Sequence, residues 1–156
     1  MPLRKIVSGG QTGVDRAALD IAIELGIPHG GFCPLGRRAE DGIIPSKYNL
    51  IEYESIEYAT RTLKNVLSSD GTLILHYGII SHGTALTKKY CIQENKPLKI
   101  INILGESKSG GYNFTNWQKE NSIQVLNIAG PRKSENGNYE LIRKILYELF
   151  YYWKIK

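Results

Sequence analysis

Gln11, Thr12, Asp15 and Arg16 stand in or beside a glycine-rich turn, Ser8-Gly9-Gly10-Gln11-Thr12-Gly13. An amide, a hydroxyl, a carboxylate and a guanidinium so close together are groups that grip a polar ligand. Glycines at 9, 10 and 13 let the backbone approach that ligand without side chains intervening. A helix follows, and its first N–H groups and the positive end of its dipole favour an anion. The chemistry suggested is binding of a phosphate or another oxyanion. The spacing is neither G-x-G-x-x-G nor G-x-x-x-x-G-K-[ST], since no Lys follows Gly13. The structural alternative is a plain connection, with Asp15 a first-turn dipole partner and Arg16 its solvated neighbour.

Three further segments carry similar groups. Arg37, Arg38, Glu40 and Asp41 lie between glycines in the loop 34–42. Guanidinium forks bind oxyanions bidentately, although internal pairing with Glu40 or Asp41 would make the same loop a solvated turn. Gly83-Thr84 opens a helix and is a second anion cradle, or Thr84 is simply its N-cap. Gly130-Pro131-Arg132 is a third, where Arg132 closes over an anion or stays in solvent.

The elements that must position these groups alternate. A short strand at Ile6-Val7 precedes the first turn. Val14, Ala17, Ala18, Ile21, Ala22 and Leu25 then fall on one helical face, ended by Gly26 and Pro28. Strands are expected at Gly30–Cys33, Leu50–Tyr53, Thr72–Tyr77, Leu98–Leu104 and Gln124–Ile128. Helices are expected at Tyr58–Ser68 (Ala59, Thr62, Leu63, Val66 and Leu67 inward), Thr84–Glu94, Phe114–Glu120 and Tyr139–Tyr152, with a polar loop at Gly105–Gly111. Thr72–Tyr77 is a continuous apolar run, as in a parallel strand buried on both faces. Such alternation predicts an α/β, doubly wound, mostly parallel, Rossmann-like sheet in a single domain over residues 1–156. The polar segments 8–16, 34–42, 78–84 and 129–138 each follow a predicted strand, at the carboxyl edge where ligands bind in this fold.

Composition narrows the classes. The 156 residues are 42% hydrophobic, enough for one sizeable core, with no apolar run long enough to span a membrane. Met1-Pro2-Leu3-Arg4-Lys5 leads into a strand rather than an apolar signal segment. Cys33 and Cys91 lie far apart with no C-x-x-C, and His29, His76 and His82 form no spaced metal motif. The expectation is a cytoplasmic protein with reduced thiols and no metal site. A net charge of +5 favours anionic ligands. The basic residues are dispersed, so nucleic acid is a minor reading.

Taken together, four ordered motifs resemble the molybdenum-cofactor carrier family. They are Ser8-Gly9-Gly10-Gln11-Thr12-Gly13-Val14-Asp15-Arg16-Ala17-Ala18-Leu19-Asp20, Gly31-Phe32-Cys33-Pro34-Leu35-Gly36-Arg37-Arg38-Ala39-Glu40-Asp41-Gly42, Ser69-Asp70-Gly71-Thr72-Leu73-Ile74 with Gly83-Thr84, and Ala129-Gly130-Pro131-Arg132. The likeness runs from Lys5 to about Phe150. That family lies in a Rossmann-like superfamily that also holds the lysine-decarboxylase-like, or LOG-type, phosphoribohydrolases. The resemblance implies an open doubly wound fold, a homo-oligomer, and binding of the molybdenum cofactor, an anionic pterin with a phosphate tail. LOG-type hydrolases carry P-G-G-x-G-T-x-x-E, whereas here His82 replaces the first glycine of Gly-Gly-Thr and Thr87 stands in the place of the glutamate. A hydroxyl cannot replace that carboxylate as a general base. Asp15, Glu40 or Asp41 remain as other carboxylates, but no nucleophile–base pair is evident, and no catalytic residue is assigned.

Read from sequence, then, this is a binding protein for an anionic pterin- or nucleotide-type ligand, with a molybdenum-cofactor carrier or storage role leading. The alternatives are a phosphoribohydrolase-like, nucleotide-processing enzyme and a nucleotide-ligand sensor. Leu149, Phe150 and Trp153 extend the inward stripe of the last helix and leave Tyr151, Tyr152 and Ile155 on other faces. A helix apolar on more than one side predicts a contact beyond its own core, in a homodimer or tetramer.

Overall fold

The computed structural model describes residues 2–54, 57–80, 82–103, 113–135 and 138–155. Strand β1 (Lys5–Val7) leads through the glycine turn into helix α1 (Val14–Leu25). The apolar face expected from spacing is the buried one, from Val14 at 0% exposure to Leu25 at 6%. Gly26 ends the helix in the left-handed region (φ 68°), its N–H directed at the Ala22 and Ile23 carbonyls, which is how glycine satisfies a helix's last acceptors.

The strand expected over Gly30–Cys33 is two strands, β2 (His29–Gly30) and β3 (Phe32–Pro34). Gly31 is the break. A Cβ there would lie 2.2 Å from the Ser8 carbonyl oxygen, so the two backbones touch and the chain turns away from the main sheet. β3 then pairs in parallel with β6 (Ile51–Tyr53) in a separate ribbon, and between them β4 (Arg38–Ala39) and β5 (Gly42–Ile43) form a small hairpin.

The rest follows the predicted alternation: α2 (Tyr58–Leu67), β7 (Gly71–His76), α3 (His82–Gln93), β8 (Leu98–Asn102), α4 (Phe114–Glu120), β9 (Val125–Ala129), a 3-10 turn at Lys133–Glu135, and α5 (Tyr139–Ile155). Two corrections arise. α3 starts at His82, so Thr84 lies inside the first turn rather than capping it. Leu67, expected inward, is 45% exposed, because α2 is ending there. Leu104 and the expected loop at 105–111 lie outside the described residues.

Five strands form the main sheet in the order β2-β1-β9-β7-β8, all parallel. Every residue of β7 is buried. Its Leu73 and Leu75 join the core formed with α1 and α5, while Ile74 between them must face the opposite side. On that opposite side α2 and α3 pack together, as α1 and α5 do on the first. Each such buried aliphatic side chain stabilises the fold by roughly 1.5–3 kcal/mol relative to exposure. A smaller core of Leu19, Cys33, Ile44, Tyr48 and Leu50 lies under the ribbon.

The strand order has a further meaning. With β9 counted first, it reads 3-2-1-4-5, the first five strands of the doubly wound order 3-2-1-4-5-6. The chain is thus a permuted version, entered at the second strand. Connections run outward from β1 to β2 and from β7 to β8, on opposite sides of β9. The carboxyl end of β9 therefore sits at the switch point, where a crevice opens between diverging helices.

Candidate functional site

A cleft of about 340 Å³ lies at that switch point. Four parts of the chain line it: Gly9, Gln11 and Asp15 after β1; Arg61, Thr62 and Asn65 from α2; His82, Gly83, Thr84, Leu86 and Thr87 from α3; and Asn127, Ile128, Ala129, Gly130, Arg132 and Glu135 at and after the end of β9. Asp15, Thr62, Asn65, Thr84, Thr87 and Asn127 are all buried polar residues. So many polar side chains at core-facing positions are unusual for packing alone, whereas a ligand pocket combines apolar wall with a few placed polar groups.

The centre of the cleft is built around a missing side chain. A Cβ on Gly9 would lie 1.7 Å from Arg61 Nη1, 3.0 Å from its Cζ and 3.2 Å from Asp15 Oδ2. Glycine at position 9 thus makes room for a guanidinium from α2 beside a carboxylate from α1. Burial raises the Asp15 carboxyl from 3.8 to about 6, against the lowering pull of the Arg61 charge, the Gln11 N–H and the Arg16 charge. Its Oδ2 accepts that N–H at 3.3 Å.

The glycine turn itself is largely satisfied from within. Asp15 Oδ2 takes the Gln11 N–H, the Gln11 side-chain oxygen takes the Thr12 N–H at 3.0 Å, and the Pro131 carbonyl takes the Val14 N–H at 3.2 Å. The chain thereby supplies the acceptors that an anion was expected to supply at 9–13. Gly13 (φ +80°) is demanded by that contact, since a Cβ would lie 2.4 Å from the Pro131 oxygen. Gly10 (φ +81°) backs onto Leu50 and Ile44 of the smaller core. Gly130 packs its α-carbon against the Leu75 carbonyl and Val14.

The loop 34–42 is a clamp and does not line the cleft. Arg37 donates to four carbonyls, those of Pro45 and Tyr48 at 2.9 Å, Ile44 at 3.2 Å and Leu50 at 3.3 Å. Its fork folds the 44–50 segment, in place of the oxyanion contact expected. Arg38 is exposed and donates to the Leu35 carbonyl. Glu40 accepts from the Thr12 hydroxyl, the Ser134 N–H at 3.1 Å and the Ser134 hydroxyl. Burial alone would raise the Glu40 carboxyl, but these bonds and the Arg132 charge hold it below its ordinary value. Asp41 receives Arg16 bidentately at 2.9 and 3.1 Å, and that pairing lowers it too. Arg16 also donates to the Gly10 carbonyl. Thr12, Gly13 and Arg16 line a second, more open hollow with Lys133 and Tyr139.

At the mouth, His82 begins α3 with φ 50°, a conformation that glycine takes without strain. Its imidazole is 70% exposed and lies 3.7 Å from Glu135. The side chain that replaces the first glycine of Gly-Gly-Thr therefore points toward the rim. Arg132 Nε sits 2.9 Å from Glu135 and 3.7 Å from Glu40, so its charge is already paired. Thr87 donates to the Gly83 carbonyl at 3.1 Å within the helix.

Of the residues singled out from sequence, Gly9, Gln11, Asp15, Gly83, Thr84, Gly130 and Arg132 meet in the cleft; Gly10, Thr12, Gly13, Arg16, Arg37, Arg38, Glu40 and Asp41 do not line it. Sequence reading missed Arg61, Thr62 as a site residue, Asn65 and Asn127. The available signal was polar residues at inward positions of a helix and a strand. Asn65 is fixed by a two-way bond to the Phe32 backbone, and Asn127 donates to Thr72 at 3.2 Å.

Among the described residues, no group of three His, Cys, Asp or Glu side chains is placed to hold a metal ion, and no helix is long and apolar enough to cross a membrane. Burial pushes both cysteine thiols up, so neither is activated as a nucleophile. The cleft offers the Arg61 guanidinium, the Asp15 carboxyl that burial raises to about 6, neutral amides and hydroxyls, and at its rim His82, Arg132 and Glu135. That set can bind an oxyanion and orient a polar ring system, with Asp15 as a candidate proton carrier.

The sequence profile of the circularly permutated YpsA SLOG family matches residues 6–150. A solved structure named "Putative molybdenum carrier protein", from Syntrophus aciditrophicus SB, is 46% identical, with a TM-score of 0.90 and 96% of each chain covered. No curated protein matches the chain. The sheet order, with the last strand at its centre, is itself that of a permuted doubly wound fold. With a match over nearly its whole length, a relative at this identity and the strand order itself in agreement, the chain belongs to the circularly permutated YpsA SLOG family.

Proposed function

We propose that this chain is a binding protein for an anionic pterin- or nucleotide-type small molecule, held in the cleft above β9. The observation that carries the reading is the convergence of Arg61 and Asp15 over Gly9, at the switch point of the sheet. Arg61 is the group for an oxyanion, and Leu86, Ile128 and Ala129 supply apolar wall for a ring. A cleft of about 340 Å³ falls within the range of small-molecule pockets. The leading assignment is molybdenum-cofactor carriage or storage, with the cofactor as cargo; the Syntrophus relative's name, a molybdenum carrier, supports carriage. A cytoplasmic homo-oligomer, dimer or tetramer, completes the proposal. Two buried free cysteines fit a reducing compartment.

One observation favours a second reading. A buried carboxyl titrating near 6 in a cleft is what a general acid or base has. Asp15 would then serve an enzyme acting on a nucleotide-like phosphate ester, with Thr87 standing where LOG-type hydrolases carry their glutamate.

Mass spectrometry of small molecules released by denaturing the purified protein tests both readings. A released anionic pterin supports the carrier. A nucleotide that the native protein slowly converts supports the enzyme. A protein that binds neither class, from its host or when both are added, contradicts the proposal.

A further inference from the structure

The closeness of Arg61 and Asp15 at Gly9 has an electrostatic consequence for whatever enters the cleft. The guanidinium lies in the space that a side chain at 9 would fill, and the carboxylate oxygen is 3.2 Å from the same point. An oxyanion received by Arg61 must therefore come alongside Asp15. Two negative charges in one poorly solvated pocket repel strongly. A proton taken up from solvent by Asp15 removes the repulsion and turns an acceptor into a hydrogen-bond donor.

We infer that the cleft is proton-linked: the ligand's oxyanion docks on Arg61 as Asp15 takes up a proton, so loading is favoured in acid and release in alkali. This rests on the reading of the cleft as an oxyanion site given above. Independently, Asp15 in the free protein titrates near 6, close enough to neutrality for a small rise to matter.

Other charged groups face the pair. Arg16, from α1, lowers Asp15 but is held by Asp41. Arg132 and Glu135, after β9, neutralise one another at the rim, with Glu40 beside Arg132. His82, from α3, is an exposed rim imidazole 3.7 Å from Glu135. A pH effect that comes from the rim groups persists when Asp15 is removed, which separates it from the Asp15 link.

The test uses the full chain and inorganic sulfate, which keeps its charge through this pH range. Carbon NMR of labelled aspartate follows the Asp15 carboxyl with and without sulfate, and amide shifts report where sulfate sits. Saturating sulfate should raise the Asp15 midpoint by about one unit. By linkage, sulfate should then bind roughly fivefold more tightly at about pH 5.5 than at about pH 7.5. In Asp15→Asn that ratio should fall below about twofold. The titration of the unaltered protein stands on its own if the variant folds poorly. Sulfate bound at Gly9 and Arg61 with an unmoved Asp15 midpoint, or an unchanged pH ratio in Asp15→Asn, overturns the proton link alone. Sulfate that never binds in the cleft overturns both the link and the oxyanion reading.

Discussion

Asp15 and Arg37 show how surroundings decide what a charged residue does. Asp15 was expected at a ligand, with a first-turn dipole partner as the structural alternative; it stands in the first turn of α1, buried beside Arg61. A carboxyl whose folded pKa stands above its unfolded value stabilises the fold below the unfolded value; that contribution is lost as pH rises through the folded one. For Asp15 the window runs from 3.8 to about 6. At about 1.4 kcal/mol per unit, its charged form costs the fold on the order of 3 kcal/mol above that window. Asp15→Asn should therefore melt higher than the unaltered protein at about pH 8 and lose that advantage near pH 4. Thermal unfolding by circular dichroism at both pH values checks it, and a variant less stable at pH 8 contradicts it. Arg37 looked like an oxyanion ligand, and its fork is instead filled by four backbone carbonyls. Arg37→Ala should cost roughly 2–3 kcal/mol of stability, because carbonyls are left without donors, while affinity in the cleft stays unchanged. Calorimetric titration should show weakened binding for Arg61→Gln and not for Arg37→Ala. Arg61 was illegible because an arginine on a helix reads as solvated; only the distant gap at Gly9 gives it a place.

At the scale of elements, what was local was legible. Helix α1, its glycine cap, α4 and the doubly buried β7 lie where periodicity and punctuation put them. The split of β2 from β3 was not legible, since it depends on Gly31 meeting the Ser8 backbone from another strand. The start of α3 was placed two residues late because Gly83 looked like an exterior turn. In the folded chain Gly83 stands in the first turn of α3, at the cleft wall, and a Cβ there would meet nothing within 4 Å. Gly83→Ala should raise helix stability by roughly 0.5–1 kcal/mol and, if a ligand closes on the helix start, weaken its binding several-fold. Melting temperature and calorimetric affinity read the two effects separately. Unchanged affinity would remove the start of α3 from the ligand's reach. Gly10→Val, by contrast, should unfold the protein before it affects binding selectively, because its Cβ would lie 2.5 Å from Leu50.

For the whole molecule, alternation of strand and helix announced the fold class but not the strand order. Alternation is unchanged by circular permutation, so nothing local could reveal that β9 sits between β1 and β7. That insertion gathers the segments after β1, β7 and β9 around one cleft and leaves the loop 34–42 to one side. Assembly belongs to this scale too. Leu149 and Phe150 are buried as expected, and Tyr151 stacks on Tyr147 at 5.5 Å and is 41% exposed; the contacts expected of Tyr152 and Ile155 fall on side chains that the structure does not describe. A homodimer or tetramer should appear in light scattering, and truncation after Phe150 should lower the assembled mass; a monomer at high micromolar concentration contradicts this. Whether the cleft above β9 receives the ligand is read by amide NMR of the labelled protein titrated with the anionic compound it releases. Shifts should centre on Gly9, Gln11, Arg61, Thr84, Thr87, Asn127 and Gly130. Shifts centred instead on Arg37, Arg38 and Asp41 would place the ligand elsewhere and contradict the cleft.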